Sequence, residues 1–591
     1  MPAPSRRTLL TAAAAALAAS GPALAAGRQR EDGGGALVFA SRAAAARAVI
    51  PAGVDALWCG GFARAGDRGE ALYVRVGEEP PHAGRFRSAD GAWWELGENS
   101  LNPFMFGAKA DKHVDDAAPI QAMFDFVAAK RFAYPIAFLG ARFMVAKGLI
   151  LPTVPAFVTL DIDGGGAILL TDAPVAIFSR IPKSQAEASV TIGQSHYDIH
   201  HFEFRGTGRE GQVGVHIGAA YANVVRNCAF TALEYGSIGT FCLGSAWRDN
   251  LYHHCSARAL TIQTGTGYDQ GPVWPGATEP NSPCHVNVIE NCRVFGHPQQ
   301  KSAFGIFGCD GARVNGCISE GAGAGVDLHF DYQGSPTVKV FHVDTFHCEA
   351  PNGTLNFKVR ASGNVCIERP IRSNPAALYD AQGSVNCEVL IKGLTWLGEM
   401  PEATGKGVNP HGRWFYHANG NGHGAKAEGS KSSGVGFRFE ECVESAWEAI
   451  SDPKRWEGGV LPYMLHVRGL RRANDGMMEW STAPIQFASP IAFADNSTLS
   501  GMKTGTVAAT TRSVPARSSV TERFAVAGLL ADKHSVVLNP ANGSAVPAPG
   551  IAWNAWIEAD GVLKLRLTNV TDGAIALEPG AQWAYCAPRR A

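Results

Sequence analysis

Five short segments of this chain end on cysteine: Val-Val-Arg-Asn-Cys228, Leu-Tyr-His-His-Cys255, Val-Ile-Glu-Asn-Cys292, Arg-Val-Asn-Gly-Cys317 and Asp-Thr-Phe-His-Cys348. The intervals between them are 27, 37, 25 and 31 residues, and the longest spans a Gly/Pro-rich insertion from Gly265 to Pro283. A period in the twenties constrains the chain to a solenoid, because so short a unit cannot bury its own apolar face and must share a core with stacked neighbours. The units are rich in Val, Ile, Phe and Cys, carry turn residues and show no helical period, so stacked strands are expected. The predicted fold is all-β, a right-handed parallel β-helix with Cys and Asn in internal ladders. Buried free Cys packs there as a small apolar residue.

The chain has 591 residues, room for more than one domain, with 46% apolar residues and a net charge of −1. That balance describes a soluble globular class, and the lack of a basic block argues against nucleic acid as a partner. At the amino terminus, Ser5-Arg6-Arg7-Thr8-Leu9-Leu10 precedes an Ala-rich apolar run ending in Ala23-Leu24-Ala25. This resembles a twin-arginine export signal with a small-residue cleavage site, so a periplasmic or secreted bacterial protein is expected, with no membrane span once the signal is removed. Thirteen cysteines is an odd count, and their placement on the repeats favours core packing over a disulfide framework. Cys59, Cys442 and Cys586 stand apart and suggest no chemistry.

Four regions are expected: the signal peptide at 1–26, a small β module at 27–100, the β-helix at 101–500 and a β-sandwich at 501–591. In the first module, Ala71 to Val76 and Gly91 to Leu96 read as strands, and Trp93 and Trp94 are expected to close a core rather than bind sugar. Ile120, Met123, Phe124 and Val127 recur at helical spacing, with Asp115 or Asp116 as cap and Pro119 in the first turn. Near the carboxy terminus, Leu563, Leu565 and Leu567 alternate with Lys564, Arg566 and Thr568, as in an antiparallel strand with one buried face.

The stretch Phe106-Gly-Ala-Lys-Ala-Asp111, followed by Val114-Asp115-Asp116-Ala-Ala-Pro-Ile120-Gln121, resembles the start of proteins in the pectate lyase superfamily. It departs from their pattern at Ala110 and Lys112, where glycines are usual, and at Ala117 in place of Thr. The resemblance covers about residues 101–500 and implies the β-helix, with a helix closing its end. Gly422-His423-Gly424 also occurs in polygalacturonase-type hydrolases, but the Asn-Thr-Asp and Asp-Asp signatures that accompany it there are missing here.

Gly325-Val-Asp-Leu-His-Phe-Asp331 alternates, so Val326, Leu328 and Phe330 are expected inward and Asp327, His329 and Asp331 outward. On the next coil, Asn356, Lys358 and Arg360 take the outward positions. If Cys317 and Cys348 share one ladder, an offset of 31 residues sets Lys358 beside Asp327 and Arg360 beside His329, about 4.8 Å away.

Such a cluster suits β-elimination from a uronate. His329 or Lys358 would take the C5 proton, and Arg360 would hold the carboxylate. Asp327 and Asp331 would bind substrate, orient His329 or hold Ca²⁺, the cation that the resemblance implies together with a basic residue. Tyr252 and His254 are candidates to line the same groove. His200, His201 and Glu203 invite a metal reading, without a defined geometry.

The expected activity is that of a polysaccharide lyase on an acidic polysaccharide. A glycoside hydrolase, an epimerase and a non-catalytic, spike-like polysaccharide-binding β-helix are the alternatives. Hydrolysis needs two carboxyl groups roughly 5 to 9.5 Å apart, and Asp327 and Asp331 lie about 13 Å apart along an extended strand.

Overall fold

The computed structural model describes residues 37–590 except 270, 279–281, 322–324, 333–339, 350–354, 374–375, 397–413, 417–432, 443–449, 451–452, 457–463, 469, 473–475, 479–490, 493–497, 542–548 and 578–579. The expected export signal and Gly422-His423-Gly424 lie outside the described residues. Contacts divide the chain into two compact units, up to Ala483 and from Pro484.

The first unit begins with a five-stranded sheet from Leu37–Phe39 to Trp93–Leu96. Trp94 is fully buried there and donates its indole N–H to Ser88 Oγ at 2.9 Å. Helix α1, Ala117–Lys130, follows, with Ile120, Met123, Phe124 and Val127 all buried. The two aspartates divide the capping work. Asp115 Oδ1 accepts the Ala117 N–H (2.9 Å), while Asp116 turns back to accept from the amides of Lys109 and Ala110. Both bind backbone, as expected of residues that shape a chain end.

Beyond the helix the chain winds as a right-handed parallel β-helix. Each central coil lays down three strands in turn, on what we call the first, second and third faces, and each pairs in parallel with its counterpart on the next coil. The first face carries Val224–Arg226, Ala246–Arg248, Val288–Glu290 and Ala312–Asn315. The second carries Ala229–Thr231, Leu251–His253, Arg293–Gly296 and Ile318–Gly321. The third carries Tyr235–Leu243, Arg258–Gln263, Ser302–Phe307, Val326–Asp331 and Leu355–Arg360. A single left-handed residue makes the bend from first to second face, at Asn227, Asp249, Asn291, Gly316, Thr345 and Arg369. Asn, Asp and Gly tolerate that conformation best, and Asn227, Asn291 and Gly316 stand just before Cys228, Cys292 and Cys317.

The interior is built of side-chain columns. Phe204, Phe230 and Tyr252 stack with centroids 5.2 and 4.9 Å apart. Asn223, Ser245 and Asn287 form a polar column in which each side chain accepts an amide N–H from the preceding coil. Eleven cysteines are buried, none of the thirteen is in a disulfide, and burial pushes thiols such as Cys228 and Cys255 up to about 12.

The five repeat cysteines do not form one ladder. Cys292 pairs on to Cys317, but the coil after Cys317 puts Phe346 in that column, and Cys348 pairs with Ser319. The true offset for this coil is 29 residues, from 319 to 348 and equally from 329 to 358. The predicted 31 is two residues too long, because Cys348 stands one inward position further round the coil than Cys317.

The second unit is antiparallel. One sheet joins Thr498–Ala508 to Gln582–Arg590 and Val537–Pro540, and another joins Ser519–Ala525, Val562–Asn569 and Ile551–Ala559. Leu563, Leu565 and Leu567 are buried as their alternation requires.

Candidate functional site

On the third face the corrected register pairs His329 with Lys358 and Asp331 with Arg360. His329, Asp331, Lys358 and Arg360 thus occupy adjacent outward positions on two coils. Asp327 does not join them. Asp327 and Leu328 are both buried, and the partners of Asp327 are interior side chains. Asp327 accepts hydrogen bonds there from Ser319 Oγ (2.6 Å) and Asn356 Nδ2 (2.8 Å). It sits in a buried polar pocket with Cys348 and Arg372, whose guanidinium burial holds at about 9, well below its ordinary value. Asp327 and Asp331 therefore face opposite sides of the wall and cannot share a Ca²⁺ ion or a substrate.

Tyr252 is likewise interior, stacked on Phe230 with its hydroxyl 2.9 Å from Ser237 Oγ. His254 is exposed at the bend that follows Leu251–His253, beyond the second face, beside His253. Neither lines the third face.

The insertion after Gln263 completes the site. It lies across the third face and is anchored at two points. Trp274 is buried against Phe241, Ala219 and Ala188, and its indole N–H reaches Gln185 Oε1 at 2.9 Å. Tyr268 stacks on Phe307 with ring centroids 3.7 Å apart, and Asp269 pairs with the buried guanidinium of Arg258. Arg258 also donates to Ser302 Oγ (2.9 Å) and lies 5.0 Å over the Phe307 ring.

Under this loop His329 is only 7% exposed. Its Nε2 is 3.4 Å from Tyr268 Oη, which donates to Asp331 Oδ2 at 3.3 Å. Arg360 Nη1 lies 3.7 Å from the same Asp331 oxygen, with its guanidinium 5.0 Å over the Tyr332 ring. Burial, then the positive charges of Lys358 and Arg258, bring His329 down to about 3, against a weaker pull from Asp269. Burial and the Asp331 carboxylate push Tyr268 up to about 12. At neutral pH the pair is a neutral imidazole facing a protonated phenol.

Tyr268, Asp269 and Arg258 escaped the sequence reading. For Tyr268 and Asp269 the signal was the Gly/Pro-rich break in the repeat, which marked an insertion without showing where it would fold; Arg258 lies on the strand before it. The other histidine cluster divides: Glu203 pairs with Arg205, while His200 and His201 turn toward Asp161 and Asp163 on the preceding coil.

No family model and no curated protein sequence matches the chain. Solved structures with a similar course are remote. The tailspike gp49 of Acinetobacter baumannii bacteriophage Fri1, a capsular polysaccharide depolymerase, is 10% identical over 94% of this chain and 98% of its own, with a TM-score of 0.44. Pantoea stewartii WceF, a glycan biofilm modifying enzyme with a tailspike-like parallel β-helix fold, is 11% identical over 94% of this chain and 70% of its own, with a TM-score of 0.39. The A-module of the Azotobacter vinelandii mannuronan C-5 epimerase AlgE6 is 12% identical over 64% of this chain and all of its own, also at 0.39.

Proposed function

We propose that the chain is an exported polysaccharide lyase that cleaves a uronate-containing polysaccharide by β-elimination on the third face. The observation that carries this reading is the neutral His329 imidazole 3.4 Å from the Tyr268 hydroxyl, with Lys358 and Arg360 on the adjoining coil. In the proposed step the uronate carboxylate lies between Lys358 and Arg360, whose charge acidifies the C5 proton. His329 takes that proton, and the C5–H electrons form the C4–C5 double bond as the C4–O bond breaks. Tyr268 gives its proton to the departing oxygen.

An imidazole near 3 is free to accept at neutral pH but is a weak base. The bound carboxylate offsets the charge of Lys358 beside the ring and raises its basicity when substrate is present. Hydrolysis by Asp327 and Asp331 loses its geometry, since Asp327 faces the core. Asp327 and Asp331 do not form a carboxylate pair for Ca²⁺, and the elimination proceeds through His329, Tyr268, Lys358 and Arg360.

The test is product analysis on a panel of acidic polysaccharides. A lyase yields the ultraviolet-absorbing unsaturated uronate together with new reducing ends. Reducing ends without that chromophore would turn the case to hydrolysis, unchanged chain length with altered C5 configuration to epimerisation, and binding without turnover to a spike-like role.

A further inference from the structure

We infer that the chain carries a divalent transition-metal site, of the Zn²⁺ class, formed by His200, His201 and Asp163 and separate from the third-face cluster. His200 and His201 belong to the strand Tyr197–Arg205, which pairs with Leu160–Leu170 on the preceding coil. Successive strand residues ordinarily point to opposite faces. Here His201 occupies the left-handed bend column, with φ 57°, where later coils place Asn227, Asp249 and Asn291. The bend swings its ring to the same side as that of His200.

Opposite it, the pairing slips between Asp163 and Ala167 to accommodate Gly164, Gly165 and Gly166. A Cβ at Gly164 would stand 2.2 Å from the His201 carbonyl oxygen, so only glycine lets the two coils approach this closely.

Three ligand atoms converge as a result. His200 Nδ1 and His201 Nδ1 are 2.9 Å apart, and they lie 3.3 and 3.1 Å from Asp163 Oδ1. Metal bonds of about 2.0–2.2 Å to imidazole nitrogen and carboxylate oxygen, at angles between square and tetrahedral, place ligands about 3 Å from one another. The protons favour this arrangement. His200 Nε2 donates to Asp161 Oδ1 at 2.7 Å, which in the neutral ring leaves Nδ1 with its lone pair toward the centre. The Gly165 N–H donates to Asp163 Oδ1 at 2.8 Å and fixes that carboxylate. Asp161 thus acts as a positioning residue, in the carboxylate–histidine–metal relay that orients imidazole ligands. Two imidazoles with one carboxylate select Zn²⁺ and its transition-metal neighbours over Ca²⁺, which takes oxygen ligands. The side chains of His201 and Asp163 are 49% and 40% exposed, leaving an open side for a water ligand.

The experiment is chelator-competition titration of the full chain with Zn²⁺, and with Co²⁺ as a coloured probe. The expected result is one Zn²⁺ per chain with visible Co²⁺ ligand-field bands. His201→Ala should weaken binding at least ~100-fold and abolish the bands. Asp161→Asn should weaken it ~10- to 100-fold while shifting the bands, as expected of an outer-shell partner. Because the His201 side chain is half exposed, its variant should keep the wild-type melting temperature in chelator, and only the wild type should gain stability from added Zn²⁺. Absence of saturable Zn²⁺ binding, or equal affinity in His201→Ala, overturns the assignment.

Discussion

The outer surfaces of this solenoid put similar residues to opposite uses. Along the first and second faces, charges meet at a surface with no loop over it among the described residues, half-exposed or partly exposed: Arg226 with Asp198 (2.9 Å), Arg248 with Glu290 (3.2 Å) and Arg293 with Glu320 (3.6 Å). Along the third face, His329, Asp331, Lys358 and Arg360 stand on the same kind of ladder, but an inserted loop covers His329 and Asp331. Solvent screening reduces the exposed pairs to a few tenths of a kcal/mol, whereas exclusion of water brings His329 down to about 3. A parallel β-helix offers charged ladders on every side. The cover, rather than the ladder, makes one of them a candidate site.

The comparison breaks most severely at His329 and Tyr268. If they are base and acid, His329→Ala and Tyr268→Phe should each lower kcat about 10²- to 10⁴-fold on the substrate found by product analysis, with circular dichroism unchanged. Retention of full activity by either variant removes that residue from the chemistry. Next is the cover itself: Trp274→Ala should cost the loop about 3 kcal/mol of local stability. Hydrogen exchange over residues 264–269 should then quicken about 100-fold, while the strands of the first face exchange as before.

Acid should act on the same side. A histidine held neutral in the fold but titrating near 6.5 when unfolded protonates first in the unfolded chain. Its contribution is therefore complete above about pH 6.5 and is lost as pH falls toward about 3. At pH 4 the loss is about 3 kcal/mol, and His329→Gln should flatten this part of the denaturation profile. Arg360→Ala should lower kcat/KM about 10- to 100-fold, the worth of a lost charge-assisted contact, with the loss shared between KM and kcat because the same charge acidifies the C5 proton. Smallest of all, Arg248→Ala on the first face should shift stability by less than ~1 kcal/mol and leave turnover unchanged. A large effect there would erase the distinction between the faces.

How far the sequence could be read depended on which physical signal was local. Val, Phe and Cys spacing reports the shared core, so the β-helix was legible, as was the helix whose Ile120, Met123, Phe124 and Val127 face it. Register was legible only through markers that share a column. Cys317 and Phe346 share one, and Cys348 belongs to the next, so a cysteine-to-cysteine ruler overshot by two residues. Strict alternation failed at Asp327, whose carboxylate is held by the buried Ser319 and Asn356 beside an inward Leu328. Tyr252 looked like a groove residue because it stands in the ionisable run from Arg248 to His254 on a repeat unit, yet it shares an interior column with Phe230. Tyr268 was out of reach: a Gly/Pro-rich insertion declares that the coil is interrupted, but its docking depends on Phe307 and Gln185, each more than thirty residues away in sequence.

The interior cysteines carry one more consequence. Eleven are buried, none is bonded to another, and burial raises nine of those eleven, six of them to about 12. A thiol that is neither ionised nor reachable is inert to oxidants and to disulfide exchange. The coils can therefore assemble without any oxidation step, and once wound they are indifferent to the redox potential outside. Only Cys366 and Cys586, both partly exposed, would register a change of compartment.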